Sequence, residues 1–313
     1  MIRCGVTRIG FIIIALVLSA HPCSPSKSAA IRQTLPEAEL LVIKFSPGKW
    51  GHEVQGEVRS VETLEFRAET KNGQVLETRT GSRISYFDRR GFETEMIEDE
   101  EARMVWKYDA RGRPSEMSMS LSGALLMREV YRFDLAQRKV TTDVYTFGSD
   151  RLQSREVSFF DEHWNETRKE TEYFEPNGDS KPRREVVIYT QTYDPKGRVI
   201  ASTIRRADGV IIHRFTEEYD QASNRLVKSG SYEYDESRGA LLSKSLNTYD
   251  ARGNLLEGLY YDFSGRLLRR ESYTREFDAR GNWITERHVT FTYDRASAPG
   301  SFTFVKRRKI TFY

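Results

Sequence analysis

Residues 247–286 read NTYDARGNLLEGLYYDFSGRLLRRESYTREFDARGNWITE, and this stretch decides the fold. One phrase occurs in it three times: Tyr249-Asp250 with Gly253, Tyr261-Asp262 with Gly265, and Phe277-Asp278 with Gly281. An aromatic precedes an acid, a glycine follows three places later, and an apolar residue lies two beyond the glycine. A catalytic loop has no reason to recur at that density, whereas a structural unit has. Related phrases begin at Phe87, Tyr108, Phe174 (FEPNG) and Tyr193. Degenerate ones begin at Phe133, Phe160, Tyr219 and Tyr234, and YDRASAPG from Tyr293 ends the series.

Asp-x-x-Gly is a recipe for a tight hairpin. The acid can bond the backbone beyond it, and a glycine three places on takes positive φ without a Cβ clash. A type I turn followed by a left-handed glycine makes a three-residue hairpin loop with a bulge. With the acid as position zero, the aromatic at −1 should then face the apolar residue at +5. The pairs are Tyr193 with Val199, Tyr249 with Leu255, Tyr261 with Leu267, and Phe277 with Trp283. Each is worth roughly 0.2–1 kcal/mol over an Ala–Ala pair.

The spacing supports one strand per step. Asp235, Asp250, Asp262, Asp278 and Asp294 are 15, 12, 16 and 16 residues apart. The longer gaps upstream contain their own turn signals at Ser122-Gly123, Gly148-Ser149-Asp150 and Asp208-Gly209. The fold class is therefore all-β: a long antiparallel meander of roughly sixteen to eighteen strands, forming a twisted or rolled sheet. Alternation places Leu267, Arg269, Glu271, Tyr273, Arg275 and Phe277 on one face. Apolar residues thus gather near the turns, and Arg, Glu and Thr occupy the strand middles.

Three segments follow. Residues 1–30 read as a secretory signal, with Arg3 and Arg8 before the apolar run IGFIIIALVLSA. Cys23 offers a lipoprotein alternative, although Ala20-His21-Pro22 matches a lipobox poorly. Residues 31–50 form a lead-in, a short helix or an extended segment able to cover the first sheet edge. Residues 51–313 are the β-repeat domain. The 49 basic residues exceed the 46 acidic ones only through Arg3, Arg8 and Lys27, so beyond residue 30 the charges balance. Net charge gives no pull on nucleic acid. Both cysteines, Cys4 and Cys23, lie in the N-terminal segment, so the body holds itself together without disulfides. With 38% apolar and 30% charged residues, a thin sheet with wide solvated surfaces fits better than a thick core.

The repeated phrases resemble the YD repeat, also called the RHS repeat, of bacterial exported and surface proteins. The resemblance covers roughly residues 66–300 and is fullest at 193–199 and 249–283. In large members of that family, arrays of such strands spiral into a hollow β-shell around a C-terminal toxin. This chain is short, lacks the core segment that follows those arrays, and ends in SFTFVKRRKITFY. The resemblance implies a short stand-alone member, or a remnant of such a shell.

No catalytic, cofactor-binding or metal residue stands out. His21, His52, His163, His213 and His288 share no metal-like spacing, and the single turn acids lack the density of calcium repeats. An outer-membrane barrel fits strand number and export but fails on its outer surface, because charge occupies the centre of both strand faces. The sequence therefore predicts a non-enzymatic exported protein, periplasmic or extracellular, with no membrane span once the signal is cleaved. It would serve as an envelope scaffold or protein-interaction module. The alternative is a carbohydrate binder that stacks sugars on Trp50, Trp106, Trp164 or Trp283, with an envelope protein or a polysaccharide as the partner.

Overall fold

A computed structural model describes residue 54 and residues 56–313, except 72–73, 147–150, 163, 175–181, 236, 238 and 294–299. The signal segment, the lead-in, Trp50, His52, His163 and the turns at 148–150, 175–178 and 294–299 lie outside the described residues. The described residues form eighteen strands. The first nine are β1 (Val58–Lys71), β2 (Gln74–Phe87), β3 (Glu93–Glu98), β4 (Ala102–Tyr108), β5 (Pro114–Leu121), β6 (Ala124–Asp134), β7 (Lys139–Thr146), β8 (Leu152–Phe160) and β9 (Glu166–Tyr173). The rest are β10 (Arg183–Tyr193), β11 (Val199–Arg206), β12 (Ile211–Tyr219), β13 (Leu226–Tyr234), β14 (Leu241–Tyr249), β15 (Leu255–Asp262), β16 (Leu267–Phe277), β17 (Trp283–Thr292) and β18 (Gly300–Phe312).

Every strand pairs antiparallel with its sequence neighbours, and β1 also pairs with β18 through Val61↔Ile310, Glu65↔Lys306 and Ala68↔Thr303. The sheet is a closed barrel, not the open twisted or rolled meander that the sequence suggested. With β1 paired on both sides, it offers no first edge for a lead-in to cover.

The hairpins supply the physical reason. Tyr193 pairs with Val199, Tyr249 with Leu255, Tyr261 with Leu267, and Phe277 with Trp283, as the spacing predicts. The next pair then skips one residue, leaving Ile200, Leu256, Leu268 and Ile284 unmatched. A bulge at the start of a returning strand bends it and increases its twist. Repeated from hairpin to hairpin, these bends coil the sheet until its first and last strands meet. Closure then removes both edges.

Each complete turn is held by its aspartate. The Asp278 N–H donates to the Asn282 carbonyl at 2.8 Å, and the Gly281 N–H donates to the Asp278 carbonyl at 3.0 Å. Asp278 Oδ1 accepts the N–H of Arg280 and of Asn282, and Oδ2 accepts the Asn282 side-chain amide at 3.1 Å. Asp109, Asp194 and Asp262 repeat this with Arg113, Arg198 and Arg266, and Asp161 and Asp250 repeat it with Asn165 and Asn254. Gly197, Gly253, Gly265 and Gly281 have φ of 74°, 85°, 83° and 86°. In the degenerate Asp161 turn, Trp164 takes the glycine's place at φ 58°.

The residue at +4 does more than close its own loop, because it also touches the aromatic that opens the next hairpin at the same rim. Arg113 lies over the Phe133 ring at 5.0 Å and Arg198 over Tyr219 at 4.5 Å. The Asn165 amide donates to the Tyr193 hydroxyl at 2.6 Å, and Phe92 stacks on Tyr108 at 5.0 Å. Arg252 and Arg280, at the +2 position of their turns, cover Phe277 at 4.2 Å and Phe312 at 3.8 Å. Tyr313 completes the circuit, donating its hydroxyl to the Phe87 carbonyl beneath Arg89. The deepest burial follows this rim: Leu226 and Asn282 are fully buried, Trp164 is 1% exposed, and Arg198 and Phe92 are nearly as deep. At the opposite rim Val75, Leu121, Leu125, Leu242 and Phe263 are exposed. Large apolar side chains are exposed at the first rim too, Leu256 and Tyr313 among them.

Directly paired residues share a face, so the register sorts the strands into two sets. Val61, Met117, Val140, Thr171, Tyr219, Ser229, Glu271, Glu286 and Thr290 are buried and all belong to one set. Crowding of this kind marks the concave side of a closed sheet, so this set lines the interior. Arg269, Glu271, Tyr273, Arg275 and Phe277 share that inner face, as the alternation predicts, but the bulge at Leu268 turns Leu267 to the other face with its partner Tyr261.

Replacing Gly281 by Val should cost ~1–2 kcal/mol or more, because a β-branched residue is penalised at positive φ. Replacing the neighbouring Ala279 by Ser should stay within about 0.5 kcal/mol. Urea denaturation of the two variants checks both values, and equal shifts would contradict the turn geometry.

Candidate functional site

The interior wall carries the concentration of chemistry. On β6 to β10, Tyr131 donates to Glu129, Ser158 donates to Glu166, and Lys169 Nζ reaches Glu156 at 3.1 Å. Burial pushes the Glu129 and Glu166 carboxyls above the usual carboxylate range, against the pull of their hydroxyl donors. Burial alone would lower Lys169, but Glu156 and Glu166 hold it above the ordinary ammonium value. Burial, and then the neighbouring Glu166, push Tyr189 up to about 12.

A second cluster occupies β15 to β17, across the barrel from the first. Glu271 accepts the Tyr260 hydroxyl at 3.0 Å and the Tyr273 hydroxyl at 2.7 Å, with Arg269 at 3.2 Å. Arg275 pairs with Glu286 at 2.5 Å and also donates to the Leu255 carbonyl at 2.6 Å. His288 stacks on Tyr273 at 4.4 Å and shares a hydrogen bond with Thr290 at 3.0 Å. Burial lowers the His288 pKa, while Glu271 and Glu286 work in the other direction. These groups bind one another. They can grip polar matter inside the barrel, but they do not converge as a nucleophile with a base.

Of the histidines named from sequence, His213 and His288 are described. They lie on β12 and β17 and do not meet. Among the described residues, no three His, Cys, Asp or Glu gather to hold a metal ion. Trp164 and Trp283 are 1% and 5% exposed, and Trp283 lies under the Arg308 guanidinium at 3.3 Å. Trp106 is half-buried on the inner wall. None of these three offers an open outer face to a sugar. Sequence reasoning missed both interior clusters, because their acids are spread over β6 to β9 and β16 to β17 and only barrel closure assigns them one side.

No family model matches the sequence, and no curated protein does. Among solved structures, a porin-like protein from Bacteroides uniformis overlaps 82% of this chain and 98% of its own at 8% identity and TM-score 0.44. A porin-like protein from Bacteroides vulgatus overlaps 83% and 99% at 9% identity and TM-score 0.29. A LolA superfamily protein from Nitrosomonas europaea overlaps 87% and 89% at 11% identity and TM-score 0.26. None of these scores reaches one half, and none carries an argument about this chain.

The pKa shifts set a pH profile. Glu93, Glu129 and Glu166 are raised in the folded state, so their ionisation costs stability above their folded pKa values, and that cost is relieved as pH falls toward 4.5. The turn acids are lowered: Asp109, Asp194, Asp250 and Asp278 contribute stability above their unfolded 3.8 that is lost as pH falls through their folded values. Asp262 does the same down to about 2. The glutamates should therefore raise the thermal midpoint as pH falls toward 4.5, His288 with its lowered pKa should oppose that rise below its unfolded 6.5, and the midpoint should fall once the turn aspartates protonate below 3.8. Glu129→Gln should flatten the rise in a pH series of melts.

Proposed function

We propose that this chain is a non-enzymatic, exported barrel that stands in the aqueous phase of the cell envelope as a scaffold, built from YD-type hairpin repeats. The outer face carries this reading. At mid-strand it bears Asp143, 2% exposed, between Arg132 at 2.5 Å and Arg155 at 2.7 Å. Arg103–Glu95, Arg270–Glu257 and Arg307–Glu77 continue the belt at 2.6–2.7 Å, and Lys107–Glu116 lies nearer the Asp109 turn at 2.6 Å. A lipid-facing belt would lose roughly 2–4 kcal/mol for each Arg or Lys at mid-depth, so this surface suits water. The buried rings of Trp164 and Trp283 weigh against the carbohydrate alternative and for a structural role.

The native protein should begin between residues 21 and 31 by N-terminal sequencing. It should stay in the aqueous phase on Triton X-114 partitioning and leave a planar bilayer silent. Partition into detergent with stepwise conductance would overturn the reading.

A further inference from the structure

The chain has six methionines. Apart from Met1, all of them fall on one patch of the inner wall. Met96 on β3 pairs with Met104 on β4, Met104 pairs with Met119 on β5, and Met119 pairs with Met127 on β6. Four methionines thus stand side by side across four adjacent strands. The fifth, Met117, lies one step along β5 and pairs with Trp106 on one side and Glu129 on the other. The row sits toward the rim opposite the Asp109 turn, and its four members keep partial exposure, so the lumen reaches them. No cysteine occurs between β1 and β18.

Methionine scattered through a core is ordinary gap filler. An unbroken row confined to one wall is not explained by gap filling, because valine or leucine would serve the sheet better at each position. We propose that this row is a binding site for a soft monovalent cation, Cu(I) in particular, held by thioether sulfur. Directly opposed residues have Cβ atoms about 4.5–5.5 Å apart. The outer two of any three neighbouring methionines are then about 10 Å apart, and each unbranched side chain can swing its sulfur toward the central one. Three sulfurs converge on one ion in this way. Thioether ligands select Cu(I) over the harder divalent ions. Glu98, paired with Arg83 at 3.1 Å, and Glu129, which accepts the Tyr131 hydroxyl, each stand two residues from a methionine of the row and are held by these partners rather than free to take the ion. Trp106, beside Met117, places an optical reporter and a cation–π face at the edge of the site.

The test is anaerobic titration of the purified protein with Cu(I), and with Ag(I) as a redox-inert probe, against a chromophoric chelator. One equivalent should bind and quench Trp106 fluorescence, with sulfur scatterers around copper in X-ray absorption. Because thioethers do not titrate, affinity should hold between about pH 7 and about pH 5, where histidine-based binding would weaken. Leucine fills nearly the volume of methionine, so Met104→Leu/Met119→Leu should keep its thermal midpoint. Its affinity should fall by more than the ten- to hundredfold typical of losing an outer-shell partner. Failure to bind, oxygen or nitrogen scatterers alone, or undiminished affinity in the folded double variant would overturn the proposal.

Discussion

The carboxylate of the turn aspartate is the interaction on which the barrel depends. It does three things at once: one oxygen gathers the N–H groups at +2 and +4, the other holds the +4 side chain, and that side chain is thereby aimed at the next hairpin. Asp194 illustrates the chain of consequences. Its Oδ1 takes the Lys196 and Arg198 N–H groups at 2.9 Å, and its Oδ2 takes Arg198 Nε at 2.6 Å. The guanidinium so fixed lies over Tyr219 and reaches Asn224 Oδ1 at 3.1 Å. A local turn becomes a contact between successive hairpins, and the packed rim is the sum of those contacts. A buried arginine is tolerable here only because a carboxylate and neutral acceptors surround it.

The distribution of side chains between the two faces then gives the molecule its character. The strand methionines and many of the aromatic residues face inward with paired acids among them, while ion pairs recur on the outer face beside outward aromatics such as Tyr145 and Phe159. Such exposed pairs contribute little each to stability. On the function proposed above, they would hold this sheet of eighteen strands in water. Asp143 is the exception in depth, since two arginines from β6 and β8 enclose it and hold its carboxyl below the usual range against the cost of burial.

Much of the local structure was legible in the sequence. The −1 to +5 pairs and the positive-φ glycines follow from Asp-x-x-Gly chemistry alone, and each is present. Closure was not legible. It depends on the accumulated bend of many bulges such as those at Leu256 and Ile284, and no single phrase records that sum. The Arg or Asn at +4 was visible as part of the pattern, but its second contact lies on the following hairpin, beyond the reach of a local reading. Trp164 shows another limit: a bulky residue occupies the left-handed turn position because its ring is buried against Phe160 at 5.6 Å. The methionine row was in plain view between residues 96 and 127, yet only the register turns those positions into neighbours.

Amide hydrogen exchange at β1 and β18 tests the central claim, a barrel closed by its own hairpins, most directly. In a closed sheet every strand is interior, so successive amides from Val61 to Phe66 and from Val305 to Ile310 should be protected as strongly as those in β14 and β15. An open sheet leaves alternate amides of its two terminal strands facing water. Fast exchange at every second residue of β1 and β18, with β14 and β15 still protected, would contradict closure.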